Sequence, residues 1–147
     1  MQKCLPSLER ALRNIGPLVG RLLIAALFVP AGAMKIGNFA GTASHMAQAG
    51  LPLVPLLLVL TIIIELGGGL MLLLGWRARA AALVLFLFLI PVTLVFHPFW
   101  GLADPAAQYQ QQINFMKNIA IMGGLMFVAA FGSGALSLDG GNTRTSI

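Results

Sequence analysis

Acid is what this chain has least of: among 147 residues only Glu9, Glu65, Asp104 and Asp139 carry carboxylates, against nine lysines and arginines. Charged residues make up 9% of the sequence, whereas a soluble domain carries about 25%, which excludes an ordinary soluble fold. Cysteine occurs once, at Cys4, so neither a disulfide nor a Cys-x-x-Cys dithiol can form within the chain, and thiol chemistry would have to come from a partner. Histidine occurs twice, at His45 and His97. A haem held by both would need them to face each other at one depth, and a zinc site lacks ligands, so no metal centre is expected. No Gly-rich phosphate loop follows a strand, and no Ser/His/Asp set is placed to converge, so no catalytic residue is assigned. The +5 charge and pI near 10.4 do not point to nucleic acid, because the basic residues are scattered singly without interleaved aromatics.

Apolar side chains supply 59% of the residues and the mean hydropathy is +0.92. They gather into four runs, at residues 17–34, 53–74, 78–96 and 113–131, each near the ~20 residues with which a helix crosses a bilayer. The expected fold is all-α: an integral membrane four-helix bundle in the lipid bilayer, with tails at 1–16 and 135–147 around a transmembrane domain at 17–134. Pro17 suits a first helical turn, Gly132 and Gly134 end the last run, and Pro30 and Pro91 should kink the helices that hold them. Lys3, Arg10, Arg13, Arg77, Arg79 and Arg144 fall on one side of this threading, which puts both termini in the cytoplasm. Trp76, Trp100 and Tyr109 fall at the interfaces. A cleaved signal peptide ending at Ala31-Gly32-Ala33 is the competing reading of the N-terminus, disfavoured by the length of the run and by Arg21 inside it.

Glu65 lies deep within the second run, where an ionised group requires partners. Helical spacing puts Thr61, Gly68 and Gly69 on its face. Glu65 is nine residues, ~13 Å, from the cytoplasmic end of its span, and Arg21 is about one turn inside the first. The expectation is therefore an inner Arg21–Glu65 ion pair, serving helix register, catalysis or transport; the alternative has Arg21 reaching the headgroups and Glu65 protonated. An outer layer is expected from Lys35, His97, Lys117 and Asn118, near Asn38 and Trp100, as a binding site for a quinone carbonyl, a small oxyanion or a lipid phosphate. Both lysines could equally extend outward to phospholipid, and His97 before Pro98 could simply cap a helix end.

Motif order then carries a resemblance. Arg21-Leu-Leu-Ile opens the first span and Phe28-Val-Pro-Ala-Gly-Ala-Met-Lys35 closes it; Met46-Ala-Gln-Ala-Gly-Leu-Pro52 precedes the second, which contains Glu65-Leu-Gly-Gly-Gly-Leu-Met-Leu-Leu-Leu-Gly75. Arg79-Ala-Ala-Ala-Leu and Phe96-His-Pro-Phe-Trp100 bound the third, followed by Asn114-Phe-Met-Lys117-Asn118-Ile-Ala-Ile-Met-Gly123-Gly124 and Gly134-Ala-Leu-Ser-Leu-Asp139. From Arg21 to Asp139 the chain resembles the DoxX family, in its small bacterial inner-membrane branch. The resemblance implies a four-helix protein of the bacterial cytoplasmic membrane, associated with quinone or redox complexes. Two functions are expected on that footing. One is an accessory subunit that binds a quinone or small anion and docks an oxidoreductase partner, with no cofactor of its own. The other is a non-redox protein of small-solute transport or membrane-protein assembly. Small-residue stripes such as Gly67–Gly69 would pack within one bundle or between copies in a homo-oligomer.

Overall fold

In the computed structural model the described residues, 5–140, form helices joined by short turns and contain no strand; Lys3, Cys4 and Arg144 lie outside them. Helix α1 spans Leu5–Gly37, α2 Phe39–Gln48, α3 Val54–Ile62, α4 Gly68–Leu74, α5 Ala78–Phe96 and α6 Pro105–Phe131, with a π-helical turn at Ile63–Gly67 joining α3 to α4. Four stretches are long and apolar enough to cross a membrane: Leu8–Gly37, Val54–Leu74, Ala78–Phe96 and Pro105–Phe131. The second and third match the hydropathy runs. The first and fourth begin earlier, because α1 carries Glu9, Arg10 and Arg13 and α6 carries Gln108 and Gln110–Gln112 in turns that remain helical although too polar for a hydropathy run.

Local chemistry explains the ends. After α2, Gly50 sits at φ 77°, its N–H bonds to Ala47 O and that of Leu51 to Met46 O, closing the helix with the paired bonds that a left-handed glycine permits. Gly75 (φ 66°) closes α4 in the same way, through its own N–H to Leu72 O and that of Trp76 to Met71 O. Asp104 caps α6 by accepting from Ala106 N and Ala107 N, with Pro105 in the first turn. Between the first two apolar runs, the residues around His45 form α2, a helix whose Ala and Met content favours it and whose Met46 is buried.

Packing follows from small residues. A Cβ on Gly32 would come within 2.9 Å of the Leu66 backbone nitrogen, and one on Gly69 would meet Phe28 and Val29, so α1 and the second span lie backbone to backbone. Gly68 makes room for Leu85 of α5. Ala25, Phe28, Leu72, Ala82, Leu85, Leu89 and Leu125 form the centre of the core, while Leu23, Leu27, Leu87 and Phe127 are among the many large apolar side chains left facing outward, as lipid contact requires.

The segment 133–140, with residues 135–140 expected as part of a tail, folds back onto the bundle. Leu138 N–H bonds to Leu74 O and Asp139 N–H to Gly75 O. The Asp139 carboxylate accepts from the backbone N–H groups of Arg77 and Ala78, capping α5 from across the chain. Likewise, the region expected as an N-terminal tail is helical from Leu5.

Candidate functional site

Glu65 stands in the π turn, about eleven residues from the start of α3 and nine from the end of α4, at the middle of its span. A π turn carries an extra residue and so re-aims the side chains that follow. Here Glu65 faces α1 while Gly68 and Gly69 serve the contacts to α5 and α1. The partner of Glu65 is Lys35, whose Nζ lies 2.7 Å from Glu65 Oε2. This is the one ion pair among the described residues. It corrects the expected Arg21–Glu65 pair, and helix register is the reason. Gly32 opposes Leu66, and Phe28 and Val29 oppose Gly69. Continuing that antiparallel register brings Lys35 level with Ile63, ~3 Å along the axis from Glu65, and carries Arg21 to the end of α4, more than ~10 Å away. Lys35 also ends up deep, because α1 stops at Gly37, level with Thr61, and α2 packs over the rest of α3.

Arg21 is fully buried, at 0% exposure, and spends its guanidinium on carbonyls. Nε donates to Ser133 O at 2.9 Å, Nη1 to Leu72 O at 2.7 Å with a longer contact of 3.4 Å to Leu73 O, and Nη2 to Leu136 O at 2.7 Å. Leu72 and Leu73 belong to the last turn of α4, whose carbonyls lack i+4 helical partners, Leu72 O keeping only its bond from Gly75 N–H, and carry the negative end of the helix dipole. A fixed, five-donor fork is what can tie them to two carbonyls of the returning segment at once. Arg21 is thus a structural clamp between the end of α4 and residues 133–136.

The expected outer layer is not brought together. Lys35 belongs to the ion pair. Asn118 Nδ2 donates to Thr93 Oγ1 at 3.0 Å, and Thr93 Oγ1 donates to Leu89 O at 2.6 Å, a tie between α5 and α6. His97 Nδ1 meets Gln111 Oε1 at 2.9 Å, a second such tie, from the residue that ends α5 to α6. Lys117 is exposed on the outside of α6, with no hydrogen bond or ion pair among the described residues. Trp100, Phe99 and Phe115 pack edge to face, with centroids 5.3–6.1 Å apart, and Phe96 stacks on His45. No group of three or more His, Cys, Asp or Glu side chains able to hold a metal occurs among the described residues. Sequence reasoning missed Asp139 as a cap and Gln111 as the partner of His97. A carboxylate in a Gly-rich segment following the last span was the available signal for the first.

Comparisons with known proteins agree with this architecture. The family profile described as DoxX matches residues 16–98, which run from within α1 through α5 and include both members of the ion pair. The chain is 37% identical over 130 residues to the inner membrane protein YqjF of Escherichia coli K12, covering 88% of this chain and 94% of the relative. It is 29% identical over 129 residues to the inner membrane protein YphA of the same organism, covering 88% and 91%. No solved structure matches. With four membrane-length helices and a profile match across more than half its length, the chain belongs to the DoxX family and is a multi-pass protein of the bacterial inner membrane.

Proposed function

We propose that this protein is an accessory component of a membrane-associated redox complex, and that its Lys35–Glu65 pair receives a lipid-soluble carbonyl compound of the quinone class. One observation carries the reading: the Lys35 side chain is 26% exposed while that of Glu65 is 9% exposed. The ammonium has three N–H donors. One goes to Glu65 at 2.7 Å, a second makes at best a long 3.5 Å contact with Ala31 O, and the third is free for an acceptor arriving from the membrane. Because Glu65 already balances the charge, a neutral carbonyl oxygen suits that donor better than an anion. A quinone becomes a quinol by taking up two electrons and two protons. In this reading an oxidoreductase partner supplies the electrons, and the Lys35–Glu65 pair holds and passes protons at the carbonyl oxygen.

The test is a titration of the purified, detergent-solubilised protein with ubiquinone-1, read by calorimetry. Binding that weakens at least tenfold in Lys35→Met, with the far-ultraviolet dichroism of the variant unchanged, supports the reading. Absence of binding to the wild type, or equal binding by the variant, overturns it. Uptake of a labelled solute into proteoliposomes, lost in Glu65→Gln, would also overturn it, in favour of transport.

A further inference from the structure

The opposite end of the bundle holds a different kind of site. Between the α4–α5 turn, the start of α5 and the returning segment lies an open cavity of about 1250 Å³. Its walls include Arg77, Arg79, Phe131, Gly132, Ser133 and Asp139. The polar groups of this wall differ sharply in what they have left to give. Both Asp139 oxygens are taken by the N–H groups of Arg77 and Ala78. Ser133 and Ser137 bond to each other, and Ser137 also donates to Gly134 O. The Arg77 and Arg79 side chains, by contrast, have no hydrogen bond or ion pair among the described residues. Arg77 rests over the Trp76 ring at 5.9 Å. Arg79 lies across Gly132, where a Cβ would come 3.1 Å from its Nε, so the absent side chain leaves space for the guanidinium. Arg21 stands directly behind the wall. Two guanidinium groups with donors unspent thus share this wall with one carboxylate that is already engaged.

We infer that this cavity binds the phosphodiester of an anionic glycerophospholipid, held between Arg77 and Arg79. The guanidinium fork matches a phosphate oxygen pair, and each arginine has donors to spare. Position argues for a lipid source over free phosphate. The α4–α5 turn joins two membrane spans, so the cavity opens at headgroup level. In its wall Phe131 is 76% exposed, offering apolar contact to acyl chains, and Trp76, beneath the Arg77 guanidinium, is of the residue type that settles at the interface. The site is separate from the ion pair and independent of the quinone reading.

Native mass spectrometry of the full chain, released from nanodiscs of equal parts phosphatidylglycerol and phosphatidylcholine, tests this. The wild type should retain phosphatidylglycerol at least fivefold over phosphatidylcholine. The Arg77→Gln/Arg79→Gln double variant should lose that preference, and Arg79→Lys should keep part of it. Neither side chain holds the fold together, and unchanged thermal unfolding of the variants checks that directly. No preference in the wild type, or an undiminished preference in the double variant, overturns the inference. Release of the retained lipid by millimolar inorganic phosphate also overturns it, since the site would then be one for free phosphate.

Discussion

Replacing Arg21 should damage this protein more than any other single change at a charged position. Its three short bonds, at 2.9, 2.7 and 2.7 Å, come from a charged donor to backbone carbonyls, and such bonds contribute about 1.5–3 kcal/mol each. The full sum overstates the loss, because water entering an Arg21→Ala variant would re-satisfy some carbonyls. A loss of about 4 kcal/mol is expected after that allowance. Arg21→Lys keeps the charge, but a compact ammonium cannot bridge Leu72 to Ser133 and Leu136 together, so it should lose about 2 kcal/mol. The effect has a location as well as a size. Residues 133–140 should detach and carry the Asp139 cap of α5 with them. Reversible unfolding in mixed micelles gives the magnitude, and amide hydrogen exchange reads the detachment, with protection lost at Leu138 and Asp139 before α6 changes. An Arg21→Ala variant within about 1 kcal/mol of the wild type, or one that leaves those amides protected, would refute the clamp.

Gly32→Ala should cost about 1–3 kcal/mol in the same unfolding measurement, because the new Cβ would press on the Leu66 backbone, which cannot rotate away; a neutral result would mean that the first two spans are not in backbone contact there. Lys117→Leu should leave stability within about 0.5 kcal/mol of the wild type, whereas Asn118→Leu, which breaks the tie to Thr93, should lose about 0.6 kcal/mol, the usual size of an interhelical hydrogen bond in a membrane; the reverse ordering would show that Lys117 has a partner within the bundle.

Hydropathy was enough to find the four spans, because lipid demands near-continuous apolar sequence and the helices leave their leucines and phenylalanines facing it. It was also enough to single out Glu65 as a residue that needs a cation. What it could not supply was the cation's identity. Depth counted from the end of a hydropathy run assumes that every helix crosses the same slab and ends at the same level. Here α1 starts at Leu5 and stops at Gly37, short of the outer end of α3, and α2 covers the difference. That offset moves Lys35 from the expected rim to mid-span and carries Arg21 past Glu65 to the far end of α4.

The register that makes this choice is written in glycines, but only in pairs. Gly32 and Gly69 each read alone as a small residue in a greasy helix; only when Gly32 is set against Leu66 and Gly69 against Phe28 does a single antiparallel alignment emerge. Once it does, the charges sort themselves by chemistry. An ammonium on a flexible stem is level with a lone carboxylate and forms a point-charge pair with it. A planar fork reaches the carbonyls where α4 ends and the returning segment crosses it, and bonds to several at once. Exchanging Lys35 and Arg21 would therefore fail at both ends: the ammonium would leave carbonyls unbonded, and the guanidinium would bring surplus donors to a single carboxylate in a dry interior.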